Sequence, residues 1–135
     1  MADALLVVDI QNDFCAGGSL AVPDGDAVVP VMNAYMERAA AAGMPIYVSR
    51  DWHPAVTTHF TAYGGTWPPH CVQGTPGAEF HPDLRVPATA QFASKGMDPR
   101  DDGYSNMDAV LTDGRRLLED LRAAGVTRVF VGGLA

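Results

Sequence analysis

The chain has 135 residues, 47% of them hydrophobic and 19% charged, which supplies one core and leaves no room for a second. A net charge of −7 argues against nucleic acid or an anionic membrane as partner, since both call for a basic face, and no apolar run is long enough to span a bilayer. Only two cysteines, Cys15 and Cys71, occur in a domain that needs no staples, and Met1-Ala2-Asp3 lacks the basic start of a signal peptide; a reducing, cytoplasmic setting is expected.

The first predicted element is Ala4 to Asp9, an almost continuous apolar run ending in a carboxylate, as in a parallel strand covered on both faces. A Gly/Pro/Asp loop follows to Asp26. Residues 27–42 read as a helix, with Val28, Val31, Met32, Tyr35, Met36 and Ala39 at helical spacing, Pro30 near the first turn and Gly43 as the stop. Pro45 to Arg50 is a second short apolar strand. Residues 51–87 are rich in Pro, Gly, Thr and His and show no period; a loop of that length in a small domain is usually functional. Ala88 to Lys95 reads as a third strand, Thr112 to Ala124 as a second helix closed by Gly125, and Thr127 to Gly133 as a fourth strand. The alternation predicts an open α/β sheet, mainly parallel, with helices on both faces, as one domain over residues 1–135.

Ligands of such sheets bind beyond the carboxyl ends of the strands. Asp9, Asp51 and Lys95 each fall at a predicted strand end. Asp51 and His53 lie on the same side of the chain as it leaves the second strand, and a carboxylate and an imidazole there can share one divalent ion. His70 lies in a loop that can fold back as a third ligand, and three protein ligands with open positions describe a catalytic rather than a structural site. A buried Asp9 needs a partner, for which Lys95 is the candidate. His81, before Pro82, fits no cluster and reads as a surface residue, and Cys71 as a small buried one.

Several segments together resemble the nicotinamidases of the isochorismatase-like cysteine hydrolases. They are Val8-Asp9-Ile10-Gln11-Asn12-Asp13-Phe14, Ser49-Arg50-Asp51-Trp52-His53, Trp67-Pro68-Pro69-His70-Cys71-Val72, Gly74-Thr75-Pro76-Gly77-Ala78, Lys95-Gly96 and Gly132-Gly133-Leu134-Ala135. The Trp-Pro-Pro-His-Cys segment is the most specific. The resemblance implies hydrolysis of nicotinamide, and of pyrazinamide, to the acid and ammonia through a cysteine acyl-enzyme. It makes Asp9 the general base and Lys95 the third member of the triad. It makes Asp51, His53 and His70 ligands of one divalent ion (iron, manganese or zinc), with His59 a further ligand found in some members. Phe14 and Trp67 match aromatic residues flanking the pyridine ring. Leu134-Ala135 matches a pair joined by a cis peptide bond, which makes Ala135 a contributor to the oxyanion hole.

The family's nucleophilic cysteine follows the glycine-rich segment by about four residues, and acyl transfer needs it. This chain ends at Ala135. It is expected to be a truncated, N-terminal portion of the domain, inactive by itself and exposing apolar surface. Two other functions compete: a metal-free isochorismatase-type hydrolase, which has no use for the Asp51, His53 and His70 cluster, and a non-catalytic fragment that binds metal or a partner. The expected partner is a small-molecule amide, with a homo-oligomer left open.

Overall fold

A computed structural model describes residues 2–100 and 103–135. Strand β1 (Ala2–Val8) lies inside a five-stranded sheet, between β2 (Ile46–Asp51) and β5 (Val126–Gly133). Beyond β2 come β3 (Gln91–Lys95) and then β4 (Val110–Leu111). All neighbours are parallel except β3 and β4. Asp51 pairs with Lys95, and Val8 with Gly133, so the carboxyl ends of four strands meet along one edge.

The apolar run of β1 serves both faces of the sheet. Leu5 and Val7 pack with Ile46 and Val48 against helix α1 (Val28–Ala41) through Val29, Met32, Met36 and Ala39. Ala4 and Leu6 pack with Tyr47 and Ala93 against helix α2 (Leu117–Ala123) through Leu117 and Leu121. This is the alternation that a strand covered on both sides requires.

Four details differ from the sequence reading. The buried stripe of α1 is rotated: Val31 and Tyr35 are 50% and 53% exposed, while Asn33 is buried. Asn33 takes an interior place because its amide donates to Asp83 O and accepts from Arg85 N, pinning the loop before β3. Helix α2 begins at Leu117 rather than Thr112, since Asp113 Oδ1 accepts from Arg115 N and turns the chain first. Strand β3 begins at Gln91 because a turn bonds Ala90 N to Pro87 O. Strand β4 was not expected; two residues carry no readable period.

The sheet's far side leaves Phe130 47% and Val131 65% exposed on β5. That strand ends in two glycines. A Cβ on Gly133 (φ +132°) would lie 2.2 Å from Val8 O, whereas one on Gly132 would meet the end of the Met32 side chain, 2.7 Å from its Sδ. Among the described residues no helix is long and apolar enough to cross a membrane.

Candidate functional site

Beyond Val8 the backbone turns sharply. Asp9 has φ 51°, an αL value that Asp tolerates better than most residues. The turn sinks its carboxylate into the sheet edge, fully buried. Ser49 Oγ donates to Oδ1 at 2.7 Å, and Lys95 Nζ to Oδ2 at 2.7 Å. Lys95 Nζ also donates to Asp51 Oδ1 at 2.6 Å. One ammonium thus bridges two carboxylates, all three groups buried.

Burial pushes the Asp9 carboxyl up to about 6, against the pull of Lys95. Burial would also raise Asp51, but its neighbours, His53 and above all the Lys95 ammonium that donates to it, outweigh burial and hold that carboxyl below its usual range. Burial would lower Lys95, but the two carboxylates outweigh it and hold the amine above its usual range.

The other oxygen of Asp51 faces two imidazoles: Oδ2 lies 3.6 Å from His53 Nε2 and 3.8 Å from His70 Nε2. The opposite ring nitrogens meet carbonyls, His53 Nδ1 at 2.9 Å from Gly96 O and His70 Nδ1 at 2.8 Å from Pro68 O. A carbonyl accepts only, so each ring keeps its proton on Nδ1 and turns the Nε2 lone pair toward Asp51. Burial lowers the pKa of His70, which favours the neutral ring. The donor set fits a divalent ion: one carboxylate and two neutral imidazoles, with outer hydrogen bonds that fix the tautomers. The charges agree, because two carboxylates against one ammonium leave a buried net negative charge that a cation offsets.

Three residues from two segments support this cluster. Gln11 continues the sheet past Asp9 with its side chain: it donates to Asp51 O at 2.8 Å and Ala78 O at 3.0 Å, and accepts from Asp51 N at 2.9 Å. Asp13 Oδ2 accepts from Cys71 N at 2.7 Å, holding the segment beside His70. Gly96 (φ +70°) backs onto the His53 ring, where a Cβ would lie 2.4 Å from Cε1.

A cavity of about 350 Å³ opens over the cluster. Phe14 and Trp67 line it, as do His59 and Ala135. Phe14 is 5.7 Å from the His70 ring, centroid to centroid, and Trp67 Nε1 donates to Tyr104 Oη at 2.7 Å. His59 is buried with its ring edge-on to His53 at 4.6 Å; the three donors that converge are Asp51, His53 and His70.

Tyr104, Gln11 and Ser49 were missed by the sequence reading. Tyr104 lies in a loop without a motif, and the other two act through contacts between distant segments. Two expectations are corrected. Every peptide bond among the described residues is trans, Leu134–Ala135 included; a non-proline cis bond costs about 3–4 kcal/mol and needs packing to impose it, and Ala135 is exposed. His81 is half-buried and bonded to Asp26 rather than a free surface residue. Cys71 is fully buried, as expected, and burial raises its thiol well above the usual range.

Residues 3–135 match the isochorismatase domain family. The chain is 41% identical to the nicotinamidase of Escherichia coli, over 98% of this chain and 70% of that one. It is 42% identical to the nicotinamidase/pyrazinamidase of Mycobacterium tuberculosis, over 98% and 71%. The fold is similar to the pyrazinamidase of Pyrococcus horikoshii, solved in complex with zinc, with a TM-score of 0.87 and 40% identity over 100% of this chain and 72% of that one.

Proposed function

The chain belongs to the isochorismatase domain family, and from that premise we propose that it is a metal-dependent nicotinamidase, hydrolysing nicotinamide and pyrazinamide to the acid and ammonia. The observation that carries this reading is the Lys95 bridge, which joins the Asp9 carboxylate to the Asp51, His53 and His70 cluster beneath one cavity. Its two tied imidazoles disfavour the metal-free isochorismatase-type alternative.

In this reading Asp51, His53 and His70 hold one divalent ion, with His59 beside them as a further ligand. An ion held there would supply Lewis acidity toward a ring nitrogen of the substrate. Zinc is the ion named for the Pyrococcus relative; iron and manganese suit the same donors. Phe14 and Trp67 flank the ring. Asp9, ionised at neutral pH, takes the proton of the attacking thiol, while Lys95 holds the base in place and balances its charge. The sulfur–carbon bond forms, the carbon–nitrogen bond breaks, and ammonia leaves with the proton that Asp9 took. Water then attacks the thioester carbon and gives one proton to Asp9; the carbon–sulfur bond breaks, the acid is released, and the departing thiolate takes that proton back from Asp9. Ala135, on the cavity wall, serves the oxyanion with its backbone.

The described thiols, Cys15 and Cys71, do not line this cavity. Neither of them is therefore assigned as the acyl-accepting nucleophile that the reaction needs. A cytoplasmic protein acting on small amides, monomeric or homo-oligomeric, completes the reading. Ammonia release from nicotinamide tests it. Turnover should fall by about three orders of magnitude or more in kcat on Asp9→Asn. Its kcat/KM should fall below about pH 6, where Asp9 takes up its proton. Turnover that disappears on Cys71→Ala or Cys15→Ala overturns the exclusion of these two thiols.

A further inference from the structure

The turn Asn12–Phe14 separates two recesses. Phe14 lines the cavity just described, while Cys15, next in the chain, lines another of about 450 Å³ together with Asp26 and His81. A sulfur, a carboxylate oxygen and a ring nitrogen from these three residues all lie within 4.8 Å of one another. We propose that Cys15, Asp26 and His81 form a second cation site, separate from Asp51, His53 and His70, that takes a thiolate-preferring divalent ion of the zinc class.

Spacing supports the site. Zinc bonds of about 2.0–2.3 Å place neighbouring donors roughly 3–4 Å apart, and His81 Nε2 already lies 3.2 Å from Asp26 Oδ2. Asp26 is held for the task, because its Oδ1 accepts from Ala16 N at 2.7 Å and Oδ2 faces His81 Nε2. Cys15 is fixed through its N–H, which donates to Asn12 O at 3.1 Å, and its side chain is buried. Thiolate, carboxylate and neutral imidazole together carry two negative charges, which one divalent ion neutralises. The sulfur selects zinc over magnesium, calcium or manganese. The open side of the recess leaves a position for water.

Binding requires two protons to move. The thiol proton leaves to solvent as the sulfur takes the ion. The His81 ring in the free protein accepts Asp83 N at 3.1 Å on Nδ1 and donates from Nε2 to Asp26. With an ion on Nε2 the ring proton sits on Nδ1, and Asp83 N–H turns to water; that bond is exposed, so water replaces it readily.

Cobalt(II) added to metal-depleted protein tests the site, because a cobalt–thiolate bond gives an intense near-ultraviolet charge-transfer band and the Asp51, His53 and His70 cluster contains no sulfur. The band should grow with cobalt, yield to zinc, vanish in Cys15→Ser, and persist in Cys71→Ser and in His53→Ala. His81→Gln, at a half-buried position, should weaken cobalt binding by about tenfold or more, and it stands as the test if Cys15→Ser does not fold. No such band at saturating cobalt, a band that survives Cys15→Ser, or a His81→Gln protein that binds as tightly as the parent overturns the proposal.

Discussion

The two His-containing clusters on either side of the turn Asn12–Phe14 hold their imidazoles in opposite senses. At the strand ends both Nδ1 atoms face carbonyls, so both Nε2 lone pairs converge on Asp51 before any ion arrives. At the loop cluster Nδ1 of His81 faces a backbone N–H, and Nε2 spends its proton on Asp26. The first cluster is preorganised; the second must shift a proton to bind. Residue type says which groups can hold a cation, but the polarity of the outer hydrogen bond says which are ready to. Burial widens the gap, since Asp51 is enclosed and the Asp26 side chain is 47% exposed.

Substitutions at the strand ends should separate the two clusters. The largest effect is expected from Lys95→Met, which strands two buried carboxylates. Breaking a buried ion pair from one side costs about 3–5 kcal/mol, to be read as a lower urea midpoint; unchanged stability would mean that the Asp9–Lys95–Asp51 bridge does not hold this edge. Cobalt–thiolate absorption at the loop cluster should be unaffected by it. Next comes Gly96→Ala, whose Cβ displaces the His53 ring and disturbs its carbonyl partner. Calorimetric titration should show affinity at the strand-end site reduced by about 10- to 100-fold, the scale for lost outer-shell support, with zinc binding at Cys15 intact.

The smallest effect serves as a control on the same sheet. Tyr47 donates its hydroxyl to Asp120 Oδ2 at 2.6 Å, away from both clusters. Tyr47→Phe should cost about 1 kcal/mol and leave both sites binding. The Tyr47 hydrogen bond is the main reason that Asp120 sits below the usual carboxylate range, with burial opposing it. A carboxyl depressed in the folded state stabilises above its unfolded pKa of about 3.9 and ceases to as pH falls through the folded value. The deficit of Tyr47→Phe measured at pH 7 should therefore shrink in acid below about pH 4. A deficit that grew there would reverse the assigned role of Asp120.

What could be read in advance was whatever depends on local pattern. β1 announced itself because both its faces are apolar, and Asp9, Asp51 and Lys95 because each closes such a run. The Trp-Pro-Pro-His-Cys segment was legible as a motif. The stripe of α1 was misjudged because Asn33 is buried through bonds to residues some fifty positions away, and hydropathy treats it as a surface residue. Lys95 was legible as a partner for Asp9 but not as a bridge to Asp51, since sharing depends on the register of β2 with β3. His81 was dismissed because its partner Asp26 lies 55 residues earlier. Tyr104 lines the cavity beside its hydrogen-bond partner Trp67, and nothing nearby in the chain signals it.

The adjacent glycines at the end of β5 draw opposite mutational spectra from the same residue type. At Gly133 the obstacle to any side chain is the backbone oxygen of Val8, part of the next strand, and no rotamer moves it. A saturation library should keep glycine alone at that position, with alanine purged as thoroughly as tryptophan. At Gly132 the obstacle is the flexible tip of Met32, so alanine should survive there and larger residues drop out gradually with size. A sharp cutoff beside a graded one, at consecutive codons, is the genetic fingerprint of a strand that presses on its parallel neighbour backbone to backbone while leaning on a helix through one pliable side chain.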